Sequence, residues 1–212
     1  PFGKRMLMDN GWYRMLRNPK VQLVDEHVSK VESTSLVTEN GEEYEADVLL
    51  LATGFDVLNF ITTYEAKGRS GASLMSQWEN DNAKAYLGTA VPNFPNFFTL
   101  YGPNLQPGHG GSLIFVVEMQ VRYIMDVIQK MLEQNLGAVE IRQEIHDSYN
   151  EDVDRAHAKM VWTHPGMESY YRNDGGRIVV NSPWRNVDFY SMTREADLNE
   201  YLTEPIPDLV AD

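Results

Sequence analysis

Two stretches of this sequence have residue types and spacing that suit ligand chemistry. Tyr101-Gly102-Pro103-Asn104 opens the loop GPNLQPGHGGS, which passes through Ser112 into a helical pattern beginning at Leu113. A glycine loop feeding a helix N-terminus gathers backbone N–H groups and the positive end of the helix dipole, so it suits an electron-rich ligand edge. Read without chemistry, the same residues are a flexible loop with Ser112 as a helix N-cap. Thr53-Gly54 closes the apolar run DVLLLAT. Ligands of α/β proteins collect at the C-terminal edge of the sheet, where N–H groups and helix N-termini face outward. The plainer alternative is that Gly54 lets a buried strand turn sharply. Lys4-Arg5 in the opening segment reads by itself as a solvated charged pair, and WTHPGMESYYRNDGGRIVVNSPWRNVDFY reads as a partly buried aromatic cluster.

Other chemistries find little support. The five histidines do not converge: His146, His157 and His164 lack the i, i+4 pairing and carboxylate context of metal sites, so no metal is expected. With no cysteine, disulfides, thiolate zinc sites and thiol catalysis are excluded. A formal charge of −13 opposes non-specific binding to nucleic acid or anionic lipid. The longest apolar runs, Val48 to Ala52 and Leu113 to Val117, fall far short of the ~20 residues of a membrane span. No signal peptide is visible, and a Cys-free acidic chain leads to the expectation of a cytoplasmic protein. The first residue is Pro1, which suggests a piece of a longer chain. No G-x-G-x-x-G follows a strand, so no complete dinucleotide-binding βαβ unit lies within these 212 residues.

The elements that must position these residues follow from periodicity. Residues 6–17 read as a helix, broken or not at Asn10-Gly11, and Val21 to Val24 as a short strand. HVSKVES, SLVT and EYEA alternate as strands, the last two joined by the hairpin signal Asn40-Gly41. Asp47 to Thr53 is expected as a strand covered on both faces, and Phe97 to Tyr101 as a second buried strand. The segment 113–134 is the clearest helix, with Leu113, Val117, Val121, Ile124, Ile128 and Met131 as the expected buried stripe. Beyond it, a strand at Ala138 to Ile141, an acidic helix at 143–160, a strand at Arg177 to Val180 and a last helix around 193–202 are expected.

Several of these motifs, in this order, resemble a known family. DVLLLATGFD is similar to the "ATG" signature of flavin-containing and Baeyer–Villiger monooxygenases, and the meander with its Asn-Gly turn matches the excursion that precedes it. PFGKRMLMDNGWYRML resembles the segment carrying the catalytic arginine of the Baeyer–Villiger group, and FPN…GPN resembles the loop beneath the isoalloxazine ring. The likeness is greatest to members acting on aryl ketones, the 4-hydroxyacetophenone monooxygenase group.

The resemblance implies an α/β fold: the distal end of an NADPH-binding domain at 1–50, the distal half of an FAD-binding domain at 51–135, and a helical, aromatic extension at 136–212. It implies a class B flavoprotein monooxygenase that uses NADPH, FAD and O2 to insert one oxygen atom into a ketone, giving an ester or lactone. The alternatives are oxygenation of amine or sulfide heteroatoms, or a non-catalytic fragment that associates with itself. Arg5 would be the catalytic residue, stabilising negative charge over the flavin. Lys4 would meet the 2′-phosphate or ribose of NADPH. Thr53, Gly54, Gly102, Pro103, Ser112 and Leu113 would contact cofactor, the last two through N–H groups at the pyrimidine edge of the flavin. Trp162 and Trp184, with Tyr170 and Tyr171, would line the substrate pocket or its lid. Apolar faces and unpaired sheet edges left by a missing half-sheet would favour self-association.

Overall fold

A computed structural model describes residues 3, 6–61, 63–108, 110–167 and 169–207. The chain forms two compact units, Leu7–Phe55 and a larger one made of Asp56–Asp212 with Pro1–Met6.

In the smaller unit α1 is one turn, Trp12–Met15. Gly11 stands before it at φ 123°, and the Asp9 carboxylate accepts from the Gly11 and Trp12 N–H groups, so the helix expected over 6–17 starts late and stays short. Strands β1 (Val28–Val31), β2 (Ser35–Thr38) and β3 (Glu43–Glu45) form the expected antiparallel meander in the order β1-β2-β3. Gly41 takes φ 86° in the β2–β3 turn and donates its N–H to Thr38 O, as an Asn-Gly hairpin requires. The strands expected at Val21 to Val24 and Asp47 to Thr53 do not form. Far from being covered on both faces, Leu50 is 85% exposed. A doubly buried strand needs neighbours along both edges, and among the described residues neither segment has one.

The larger unit contains α2 (Leu74–Gln77), α3 (Leu113–Glu133), β4 (Leu136–Ile141), α4 (Gln143–His157), α5 (Asn186–Met192) and β5 (Tyr201–Pro205). Asn135 at φ 55° ends α3 and turns the chain into β4, which pairs antiparallel with β5 from Leu136↔Pro205 to Ile141↔Tyr201. Of the helix expected around 193–202 only a 3-10 turn, Leu198–Glu200, forms before β5 begins; the longer helix lies earlier, at α5, and the Thr193 hydroxyl closes it on Phe189 O. FFTLY is not a strand either. Asn96 and Tyr101 flank it at φ 56° and 53°, leaving one bridge, Ala90↔Phe98. Arg177 to Val180 runs extended but forms only an isolated bridge, Arg172↔Ile178. No helix among the described residues is long and apolar enough to cross a membrane.

Helix α3 is where expected, but it buries a different face. Val116, Met119, Gln120, Tyr123 and Val127 face the core, joined there by Leu105, Val139, Phe189 and Tyr201. Of the expected stripe, Leu113, Val121 and Ile128 are exposed, while Val117, Ile124 and Met131 are half-buried, Met131 against the core. Gln120 decides the face. Its Nε2 donates to Thr89 Oγ1 at 2.7 Å and reaches Gly88 O at 3.1 Å and Thr99 O at 3.2 Å, while its Oε1 accepts from the Tyr101 N–H at 2.7 Å. A buried amide so fully partnered ties the 88–101 loops to the helix. Hydropathy reads Gln120 as an outward residue, which tilts the stripe away from its true axis.

The two faces give a matched test. Met119 is 3% exposed and Met125 56%. We expect Met119→Ala to lower stability by about 2–5 kcal/mol and Met125→Ala by about 0.5 kcal/mol or less, as read from urea-unfolding midpoints.

Candidate functional site

The glycine loop that leads to α3 is built by close backbone approach. A Cβ on Gly102 would stand 2.4 Å from Gly88 O, so the two segments touch main chain to main chain. Beyond it the loop runs beside 178–182: Asn104 N–H donates to Val179 O, Gln106 N–H to Val180 O, and Ser182 N–H to Gln106 O. Gly108 then passes against the Trp162 ring, where a Cβ would lie 2.8 Å from Cη2. Gly110 and Gly111 follow at φ 68° and 84°, and Gly111 abuts the Asn186 side chain. Under this loop lies a cavity of about 440 Å³. Its walls are Leu105, Val116, Met160, Trp162, Trp184 and Phe189, with Gly110, Gly111, Arg185 and Asn186 around them. Arg185 is engaged elsewhere, in a two-pronged pair with Asp188 at 2.7 Å on each arm.

Both tryptophans are fixed by their indole N–H groups. Trp184 Nε1 donates to Tyr149 OH at 3.0 Å. Trp162 Nε1 donates to His157 Nδ1 at 2.9 Å, and because an indole nitrogen only donates, Nδ1 must be the bare nitrogen. His157 Nε2 therefore carries the proton and donates to Asn181 O at 3.0 Å. Burial pushes His157 down to about 4; the Asn181 carbonyl opposes this and the charge of Arg177 adds to it. Arg177 is the buried cation of the region. Its guanidinium donates to Asp154 Oδ1 at 2.8 Å, Ala83 O at 2.9 Å and Asn104 Oδ1 at 3.0 Å. Asn104, at φ 58°, returns its Nδ2 to Ile178 O at 2.7 Å.

Comparison with known proteins bears on what such a cavity serves. No family model matches the chain. An uncharacterized monooxygenase of Sinorhizobium fredii is 48% identical over 205 residues, covering 97% of this chain and 31% of that protein. A Baeyer–Villiger monooxygenase of Pseudomonas aeruginosa is 31% identical over 199 residues, covering 93% of this chain and 37% of its own. This chain is a homologue of the Baeyer–Villiger monooxygenases. The closed crystal structure of cyclohexanone monooxygenase superposes with a TM-score of 0.80 at 26% identity, over 96% of this chain and 39% of that one. OTEMO in complex with FAD and NADP superposes at 0.82 with 22% identity, a likeness of fold. The chain thus spans between 31% and 39% of the length of these proteins.

In this Baeyer–Villiger homologue the residues singled out from sequence fall in three places. Trp162 and Trp184 meet at one cavity beside the glycine loop. Tyr171 is buried and Tyr170 half exposed, and neither lines that cavity. Gly102 and Pro103 are buried in the loop's base. Ser112 holds the N-cap position of α3, but its side chain makes no capping bond, contrary to the structural reading of that serine. The N–H groups of the first helical turn have no partner within the helix, and Ser112, Leu113 and Ile114 are exposed. Thr53 and Gly54 belong to the smaller unit; both are exposed, and Gly54 makes the sharp turn at φ 83°. Lys4 and Arg5 lie outside the described residues, although neighbouring Gly3 is buried against Met167. Asn104 lies in the GPN motif, whereas His157, Arg177 and Tyr149, which also hold the cavity wall, have no periodicity or motif that marks them in the sequence. Among the described residues no three metal-ligating side chains cluster.

We expect acid sensitivity in this homologue from the buried His157. Its folded value lies below its ordinary 6.5, so the unfolded chain takes up the proton first. The stabilising effect of keeping this ring neutral is full above about pH 6.5 and is lost as pH falls toward 4, about 3 kcal/mol in all. We expect His157→Gln to flatten that part of the stability–pH curve measured by denaturant unfolding.

Proposed function

We infer that this chain supplies the pocket wall and the flavin-facing helix end of a monooxygenase that uses FAD and NADPH to insert one atom of O2 into a ketone, giving an ester or lactone. The observation that carries this reading is the convergence of the glycine loop, Val116 of α3 and two tryptophans on one cavity beside the start of that helix, in a chain homologous to Baeyer–Villiger monooxygenases. The residues fit such a cofactor. Uncapped first-turn N–H groups and the helix dipole favour the electron-rich pyrimidine edge of a flavin at Ser112 and Leu113. A Cβ on Gly110 would meet nothing within 4 Å, so the loop keeps an open side toward a ligand.

When bound, the flavin supplies the oxygen-activating chemistry. The chain's part is binding and exclusion. Trp162, Trp184, Phe189 and Met160 offer an apolar wall that holds a ketone's carbon frame and keeps water from the reacting centre. Arg5 supplies permanent positive charge where negative charge develops, and Lys4 meets the NADPH phosphate or ribose. Thr53 and Gly54 belong to the cofactor-binding set. The resemblance of the opening segment supports these roles, as does the burial of Gly3 against Met167, five residues from Trp162.

Ketone-dependent NADPH oxidation, measured on a protein joining this chain to the region its relatives have beyond it, tests the reaction class. Arg5→Ala should lower kcat by about 10²-fold or more with NADPH binding retained; unchanged kcat would remove Arg5 from the mechanism. The chain by itself should hold no flavin absorbance after excess FAD is removed. It should also self-associate through its exposed apolar surfaces, including Val48 to Leu51 and the outer face of α3. Light scattering would show this as a mass rising with concentration, and a constant monomer mass would refute it.

A further inference from the structure

Trp184 is both a wall of the cavity and one end of an aromatic series. Its ring centroid is 6.3 Å from that of Tyr149, which is 5.3 Å from that of Tyr86 at an interplanar angle of 76°. Trp184 Nε1 and Tyr149 OH are hydrogen-bonded as well, at 3.0 Å. The series ends on a base: Tyr86 OH donates to Glu200 Oε2 at 2.7 Å. Tyr86, Glu200 and Trp184 are all half-buried; Trp184 faces the cavity, and Tyr86 with Glu200 meets solvent at the other end of the series. Packing alone accounts for touching rings. It does not call for an ionisable carboxylate on the last phenol, where burial raises the carboxyl's affinity for a proton. An easily oxidised ring at a cavity, a second ring bridging, and a tyrosine with its own proton acceptor are together what one-electron transfer over this distance needs.

We propose that Trp184, Tyr149, Tyr86 and Glu200 form a relay that removes oxidising equivalents from the cavity and delivers them to the protein surface. The oxidant is a radical of the kind that peroxide breakdown produces. It takes one electron from Trp184 and is itself reduced. The indole keeps its Nε1 proton, since a phenol oxygen is a weak base, so the ring is left as a radical cation. One electron then passes from Tyr86 across the Tyr149 ring to Trp184, and the Tyr86 hydroxyl proton moves to the Glu200 carboxylate. Trp184 is restored; Tyr86 is a neutral phenoxyl radical and Glu200 a carboxylic acid. A soluble one-electron donor of the thiol or ascorbate class returns the electron, and the proton goes back from Glu200. The relay protects the cavity wall whatever reaction the cavity hosts, so it stands apart from the function proposed above.

The test uses the chain as it is, with radiolytic azide radical as the oxidant, which prefers indoles and is small enough to enter the cavity. A nitroso spin trap marks tyrosyl radicals, and peptide mass spectrometry locates both trap adducts and oxidised tryptophan. In the unaltered chain we expect adducts at Tyr86 and little oxidation of Trp184. Tyr86→Phe and Glu200→Gln keep the rings in place and should each raise oxidised Trp184 by about tenfold, the rise expected if the barrier to its repair grows by ~1.4 kcal/mol. Trp184→Phe should suppress the Tyr86 adduct, which a merely structural tryptophan would not do. Unchanged Trp184 oxidation in both tyrosine-end variants, or a Tyr86 adduct undiminished in Trp184→Phe, would overturn the relay.

Discussion

The buried guanidinium of Arg177 is the constraint on which the larger unit depends. A cation taken out of water costs several kcal/mol unless it is paired and hydrogen-bonded, and here four hydrogen bonds to the guanidinium come from segments far apart in sequence. Asp154 and Asn150 come from α4, Ala83 O from the loop after α2, and Asn104 from the glycine loop. Arg rather than Lys suits the task because its planar fork presents several donors in fixed directions. The side chain is 12% exposed against 42% for Asp154, so the carboxylate closes the pair from the solvent side. Position is therefore imposed on Asn104, and through it on the whole loop that runs to α3.

From that anchor the cavity follows in steps. Asn104 is held at φ 58° with both its amide atoms engaged, so the loop leaves it alongside 178–182. The same extended segment presents the Asn181 carbonyl to His157, whose other nitrogen receives Trp162. Gly108 then has room to cross the indole, and Gly110 and Gly111 take left-handed conformations that a side chain would resist. Two tryptophans thus reach the cavity with their polar ends turned inward to protein acceptors, leaving apolar ring surface as the wall. Buried indoles generally find such partners; here the partners also fix the rings' direction.

How much of this was legible in the sequence depends on the range of the interaction. Local signals held: the Asn40-Gly41 hairpin, the alternating meander and the extent of α3 rest on contacts between near neighbours, whereas the glycine loop, marked by its composition, is placed by segments far away in sequence. The strands expected at Val21 to Val24, Asp47 to Thr53 and Phe97 to Tyr101 did not form, because a strand exists only through its partner. Apolar content says that a segment wants cover, not that cover is present. Gln120, His157 and Arg177 were invisible for a related reason. Apart from Trp162, five positions from His157, their partners lie 19 to 94 positions away, and a polar residue destined for a satisfied interior looks in sequence like any surface residue. The two tryptophans were singled out by aromatic density and family resemblance, and the structure puts them on one cavity. The charged pair Lys4-Arg5 lies outside the described residues.

Helix α3 shows why a periodicity can be right about the element and wrong about its orientation. Its inner face carries Val116, Met119, Tyr123 and Val127, yet Ile114, Val121, Met125, Ile128 and Leu132 recur at helical spacing on an exposed face. A helix apolar on more than one side has no single direction of burial, and the stripe chosen from hydropathy falls between the two faces: Val117, Ile124 and Met131 are half-buried, and Leu113, Val121 and Ile128 are exposed. What breaks the tie is polar: the amide of Gln120 finds donors and acceptors only among the loops at 88–101. Burying the outer face instead would leave that amide's four bonds to water and expose Tyr123, whose hydroxyl is paired with Tyr201 at 2.8 Å. Hydrophobic burial is non-directional and is satisfied by either face. Hydrogen bonds are directional, so in this helix it is the buried polar groups that select the orientation and leave an apolar surface facing outward.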